Sequence, residues 1–598
     1  MNIIQAILHE IEVGKARAIA RIAPLAVTLL VVALFYDCEV YHGLNDAQSM
    51  DNAQLARQVA TGSGFTTKFL RPLALVQLNE HAAQTTGKLF PANQFPAGTP
   101  RIIPDTYNAP GYPYLLAGWF QLIRPQFDQT WQEIGTKHMY SGDIFIPVFN
   151  QIFILLTAFF VFGLSRVLFD ERVAWISLMA FLGSDIIWQY SITALSTNVL
   201  IFLVTALLFV SLKLFCVAED HFENDEPFWP AWIWALIASL LLAAACLTRL
   251  HLLVLLVPLL LFVALVPRTN FLLLPLVAII VIGLVVPWFW HMYAVCGNPL
   301  GSNLSQLLYG EDRYKDNQIF CQTSIPGYEQ MLKGLSRKEL LGFSWHFEHG
   351  WDLLGSNPMI LLFAASILHR FRRRRVNAFR WFIIGSAFCI IAVNNMGTSS
   401  PATIGPWNTL VVLFPAMVVI GSAFFFILLD RLDLQLWLLN NTAIIAVVGL
   451  ITAPLILTIS GRNNNTRYYN YPPYVPFFDN QVAHFVRPDE WVTSDMPWAT
   501  AWYGDRASLW LPDSVKDFEN FHDTYCPTGI MLLTPVTWDA PMSNLTSVSG
   551  EYHEWLPIVI GVSLPPSFPL PAFTNYSAQA ADYYLWSDVP RWNAPVIR

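Results

Sequence analysis

The polar stretch after the first apolar segment gathers the residue types that transfer chemistry needs. It reads His42-Gly-Leu-Asn-Asp46-Ala-Gln-Ser-Met-Asp51-Asn52, keeps a helical pattern from Asp51 to Ala60, stops at Gly62, and then supplies Lys68 and Arg71. Two carboxylates ahead of two cations are the minimum equipment for one reaction type. A carboxylate deprotonates an acceptor hydroxyl or amine while cations neutralise a departing phosphate. Asp51 is the leading catalytic candidate and Asp46 the second. An aspartate opening a helix also serves as a plain cap for free backbone N–H groups, and that role stands beside the chemical one for Asp51.

Other candidates are more scattered. Arg249, in Leu247-Thr248-Arg249-Leu-His251, is suited to clamping a phosphate through its planar set of donors, and Lys68 and Arg71 compete for that role. Simple snorkelling of Arg249 to the membrane interface is the competing reading. Asp185 falls about twelve residues into an apolar segment, where an acid is a functional candidate by default. His346, Glu348 and His349 form a compact metal-like cluster, but no third well-spaced ligand accompanies the two histidines, so a divalent metal is not indicated.

Only a membrane protein positions such residues within this composition. The chain of 598 residues is 55% hydrophobic and 13% charged, far from soluble averages. Apolar segments near 19–36, 145–168, 173–190, 196–217, 230–248, 251–267, 270–290, 357–369, 381–396, 408–429 and 440–460 suggest about eleven spans. A cytoplasmic N-terminus places Arg172, Lys213, the Arg370 to Arg375 run, Arg380 and Arg431 inside, as the positive-inside rule prefers. Stretches 37–144, 291–356 and 461–598 then fall outside. The last reads as a small α/β domain: strands at Trp491–Asp495, Ala507–Leu511 and Gly529–Leu533 alternate with helical Pro497–Tyr503 and Val515–Tyr525. Cys38, Cys296, Cys321 and Cys526 lie outside, and a Cys296–Cys321 bridge is open to them in an oxidising compartment. A net charge of −8 without a basic stripe excludes nucleic acid as a partner.

The order of motifs over the first 300 or so residues resembles the GT-C superfamily of polyprenyl-phosphate-sugar-dependent glycosyltransferases, in the branch with protein O-mannosyltransferases and lipid A aminoarabinose transferases. Met50-Asp51-Asn52-Ala53 occupies the place of the family's first-loop acidic motif, with Asn52 where a second acid often stands. Asn108-Ala-Pro110-Gly-Tyr112-Pro113 looks like the segment closing that loop. Ser196-Thr197-Asn198 stands where relatives carry Thr-Asp or Ser-Asp, Arg249 and His251 where they place a basic residue, and Pro287-Trp288-Phe-Trp290-His291 with Gly297-Asn298-Pro299 matches a recurrent pairing.

The resemblance implies a polytopic GT-C-like helical domain over 1–460, a C-terminal outer domain over 461–598, and an inverting transfer of sugar from a lipid-phosphate carrier to an extracytoplasmic acceptor. It implies Asp51 or Asp46 as catalytic carboxylate, and Arg249, Lys68, Arg71 and His251 as donor-phosphate ligands. Asn52, Tyr112, Asn198, Asp185 and His291 become pocket candidates. The nearest likeness is to bacterial inner-membrane enzymes, with the site on the periplasmic face. The competing class is a transporter or flippase, which usually shows several buried ionisable residues or internal repeats; here a single intramembrane acid and no repeat are visible.

Overall fold

The computed structural model describes residues 15–87, 102–127, 132–134, 137–224, 229–266, 272–308, 318–324, 335–398, 400–432, 437–460, 476–538, 545–546, 552–559, 564–578 and 581–593. The first fifteen residues expected in the C-terminal domain, 461–475, lie outside them. Among the described residues eight helices are long and apolar enough to cross a bilayer: Ala23–Val40, Ile146–Leu168, Thr197–Asp220, Trp229–Thr248, Leu273–Cys296, Arg374–Gly397, Thr409–Arg431 and Asn441–Ile459. The chain is an integral, multi-pass membrane protein.

Three expected spans are shorter or broken. Segment 173–190 divides into Glu171–Leu182 and Asp185–Ser191, 251–267 begins as a 3-10 turn (Leu250–Leu255) before Leu256–Ala264, and 357–369 holds Pro358–Ser366. A broken helix in an apolar setting needs its freed backbone groups satisfied from within the protein. Asn357 does this for two breaks at once. Its side-chain oxygen accepts from Met359 N (2.9 Å), while its amide donates to Ala180 O (3.1 Å) and Ser184 Oγ (2.6 Å).

The first-loop helix runs from Ala47 to Ala60, and its cap is Asp46, whose carboxylate accepts from Ser49 N at 2.8 Å. This removes the capping role from Asp51, which sits inside the first turns with its side chain buried. Gly62, at φ 86°, follows the helix in a backbone conformation that a side chain rarely adopts. Asp46→Asn is expected to be nearly silent and Asp46→Ala to cost about 1 kcal/mol, read as a shift in the thermal unfolding midpoint.

The expected α/β domain forms, with strands β4 (Trp491–Ser494), β5 (Ser508–Trp510) and β6 (Thr528–Leu533) parallel and the helices Pro497–Tyr503 and Val515–Thr524 between them. A hairpin of β7 (Ala572–Ala578) and β8 (Ala581–Ser587), unforeseen from the sequence, adds antiparallel through β8 to β6. Every position of β6 is buried, as a strand covered on both faces requires. Met531 and Leu533 join one apolar cluster with Phe518 and Trp555, while Ile530 and Leu532 join another with Val492 and Phe478.

The sheet is not wholly C-terminal. Strand β1 (Phe69–Leu70), from the first loop, pairs parallel with β5, giving the order β1-β5-β4-β6-β8-β7. The first loop and the C-terminal sheet therefore share one face of the helical body. A separate two-stranded ribbon, β2 (Gln132–Ile134) and β3 (Lys137–Met139), belongs to the first loop alone.

Buried polar contacts weld that junction. Arg57, on the first-loop helix, donates to Trp502 O and Ala501 O (both 2.8 Å) and pairs with Asp505 (2.7 Å). Asp143 accepts from Trp502 Nε1 (2.8 Å) and Tyr503 Oη (3.0 Å). Burial pushes the Asp143 carboxyl up to about 7, against the lowering effect of those two bonds.

None of the seven cysteines is in a disulfide, so the Cys296–Cys321 bridge does not form. Cys296 packs with Cys526 and Trp491, its thiol donating to Met292 O at 3.2 Å, whereas Cys321 lies in a different cluster with Phe518 and Trp510.

Candidate active site

A cavity of about 470 Å³ opens between the first-loop helix, the segment 107–113, the ends of several long helices and the Gly301–Leu308 turn. Its volume suits a small ligand site. Its lining includes Arg249, His251 and Trp407 together with Gln48, Asn52 and Asn108.

Arg249 reaches the cavity because the helix Trp229–Thr248 ends there, the backbone of Arg249 turning extended (φ −154°, ψ 106°) before the 3-10 turn. Its guanidinium donates to Ser196 Oγ (3.0 Å) and Thr409 Oγ1 (3.3 Å), and among the described residues no carboxylate pairs with it. Thr409 also meets His251 Nε2 at 3.0 Å, and the imidazole stacks on Trp407 with centroids 5.7 Å apart. A hydroxyl that accepts from arginine still has its own proton to give. Thr409 thus couples the two basic side chains without adding charge.

Behind the lining residue Asn108 lies Asp51, fully buried. Its carboxylate accepts from Arg71 Nη2 (2.7 Å), Asn108 Nδ2 (2.8 Å) and Gln54 Nε2 (3.0 Å). Arg71 in turn is sandwiched between the rings of Phe69 and Tyr107, at 4.0 and 3.8 Å from their centroids. Asp105 completes the buried group, accepting the backbone N–H of Asn108 (2.7 Å) and Tyr107 (3.2 Å). Burial first, and the charge of Asp51 second, raise its carboxyl to about 6, with Arg71 opposing. Asp51 is therefore one hydrogen bond behind the cavity, and Asn108 is the residue in front of it.

The structure brings together Arg249, His251, Asn52 and Tyr112 as lining residues, with Asp51 behind them. It separates others. Lys68 pairs with Asp505 at 2.5 Å, away from the cavity, and Arg71 is committed to Asp51, so neither faces a donor phosphate here. Asp185 binds Tyr36, Gln189 (2.6 Å) and Thr458 (3.1 Å), joining the first and last spans. Asn198 is buried at the start of its helix without lining the cavity, and His291 is exposed beside Trp288.

His346 and His349 each face the carbonyl four residues back, at 2.7 and 3.1 Å, and Glu348 takes the Ser344 hydroxyl. Among the described residues no three His, Cys, Asp or Glu side chains converge as metal ligands. Missed from the sequence were Asp105, Gln48, Asn303, Gln306 and Thr409. Only Asp105 carried a local signal, as an Asp two and three residues ahead of the N–H groups it holds.

The sequence matches no family model and no curated protein. Solved structures do match. ArnT from Cupriavidus metallidurans bound to undecaprenyl phosphate aligns with a TM-score of 0.53 at 13% identity, covering 97% of this chain and 100% of that one. Its apo state aligns at 0.50. The oligosaccharyltransferase of Archaeoglobus fulgidus, tethered to an acceptor peptide containing the NVT sequon, aligns at 0.50 and 12% identity, covering 96% of this chain and 74% of that one. Such identities speak for fold alone, and the likeness runs through the C-terminal sheet as well as the first 300 residues: the chain has the GT-C fold.

Proposed function

We propose that this chain is an inverting glycosyltransferase that moves a sugar from a polyprenyl-phosphate carrier to an extracytoplasmic acceptor, at the outer face of a bacterial plasma membrane. The observation that carries the reading is Arg249, a cation without a carboxylate partner among the described residues, at the end of a span and facing a 470 Å³ cavity. A lipid-linked phosphate at that depth would supply the missing anion, with its hydrocarbon tail in the bilayer.

In the proposed reaction an acceptor oxygen or nitrogen attacks the anomeric carbon from one side while the carbon–phosphate oxygen bond breaks on the other. The departing phosphate takes the electron pair, and Arg249 neutralises its growing charge. Asp51 orients the acceptor or takes its proton, reached where the Asn108 amide now sits on its Oδ2. Asp105 holds the backbone that presents Asn108.

The deciding experiment is to reconstitute the purified chain in vesicles with a radiolabelled polyprenyl-phosphate sugar. Cleavage to free polyprenyl phosphate with label on an acceptor is expected. Label that crosses the bilayer still attached to its lipid would make the protein a flippase instead.

A further inference from the structure

Resting on the transferase reading, we infer that the transferred sugar is neutral and hydroxyl-rich, not amine-bearing. Among the described residues the cavity lining contains no aspartate or glutamate, and its formal charge is that of Arg249. Where polar groups are needed the lining uses carboxamides, and three of them are oriented in the same sense. Gln48 Nε2 donates to Asn108 Oδ1 (2.6 Å), Asn303 Nδ2 to Tyr107 O, and Gln306 Nε2 to the Tyr107 hydroxyl. With the N–H₂ ends turned into the protein, the amide oxygens of Gln48, Asn303 and Gln306 are left for a ligand. Among the described residues no protein donor reaches them. A row of carbonyl acceptors takes hydroxyl donors.

An ammonium would meet a different environment. The two carboxylates behind the wall are already occupied: Asp51 by Arg71, Asn108 and Gln54, and Asp105 by two backbone N–H groups. A second cation lies under the floor, where the buried Lys338 ammonium donates to the carbonyls of Leu307 (3.0 Å) and Met396 (2.7 Å), both lining residues. A cationic sugar would therefore give up its hydration without a counter-charge in the wall, between Arg249 and Lys338. The one anion the cavity is built to receive is the carrier phosphate.

The test uses the full chain in detergent with two undecaprenyl-phosphate donors, one carrying a neutral hexose and one a 4-amino pentose. Donor affinity is measured by calorimetry and donor cleavage by thin-layer chromatography. The neutral donor is expected to bind on the order of 100-fold more tightly, because an ammonium loses its hydration there without a counter-charge. Gln306→Glu places a carboxylate in the wall and is expected to reverse part of that preference, whereas Gln306→Met weakens the neutral donor without helping the amine. Equal or tighter binding of the amino sugar by the unmodified chain overturns the inference. If the neutral donor binds preferentially and neither donor is cleaved, the cavity's preference for a neutral sugar stands and the transferase reading falls.

Discussion

Asp51→Asn is expected to abolish transfer and to destabilise the chain as well, because the side chain it alters is the buried counter-ion of Arg71. The substitution keeps shape and capping intact, but leaves a guanidinium buried between two aromatic rings without its direct partner, with the more distant Asp105 still opposing its charge. Breaking a buried pair in this way costs about 3–5 kcal/mol. Loss of activity in that variant alone therefore does not separate chemistry from folding.

A double-mutant cycle does. Asp51→Asn with Arg71→Gln removes both charges and should cost less in stability than the sum of the single changes, the difference being their coupling. Arg71→Gln alone should keep measurable transfer. Both variants that lack the Asp51 carboxylate should lose roughly 10²- to 10⁴-fold in rate, the range of a general base. A double variant that transfers as fast as Arg71→Gln would reduce Asp51 to a structural counter-ion.

Arg249→Ala carries the second large effect. A charge-assisted phosphate contact in a partly buried cavity is worth about 2–3 kcal/mol, so the KM for the lipid-phosphate donor should rise on the order of 30- to 150-fold. Arg249→Lys should fall between, since a point charge keeps attraction but loses the forked geometry that Ser196 and Thr409 now hold. Lys68→Ala is the control and should leave donor KM unchanged, its partner being Asp505. An unaltered KM in Arg249→Ala, measured in detergent-purified protein of normal stability, would leave Arg249 as an interfacial anchor.

What the sequence made legible and what it hid follow from the range of each signal. The alternation of β4, β5 and β6 with the helices Pro497–Tyr503 and Val515–Thr524 could be read because short apolar runs are punctuated by proline, glycine and aspartate. The β7–β8 hairpin was missed: its strands carry Asn575, Tyr576 and Ser577 opposite Tyr584, Tyr583 and Asp582, a mixed pattern without clear polarity. Strand β1 is two residues long and has no local signature at all; it is a strand because β5 lies beside it.

The site shows the same division. Arg249 and Asp51 announce themselves by charge, but which aspartate caps and which is buried was decided by a tertiary contact, Arg71 folding back onto Asp51. The carboxamides Gln48, Asn303 and Gln306 gave no warning, because an uncharged polar residue near a membrane surface is ordinary until its neighbours are known. Lys68 looked equivalent to Arg71 in sequence and is not, since Asp505 claims it.

The pairing of β1 with β5 also sets a timetable. Lys68 and Asp505 stand 437 residues apart, and at the usual pace of synthesis the first loop waits roughly 20–90 s for its partner to be made. Throughout that interval the Arg57 guanidinium lacks Asp505 and the carbonyls of Ala501 and Trp502, and β1 presents an open edge at the membrane surface. Among the described residues the helix bearing Asp51 is thus the first to follow the opening span, and it is among the last to be locked in place. A ribosome stalled before Ala501 is made would leave a chain inserted in the bilayer with its cavity begun and the Asp51 helix unanchored.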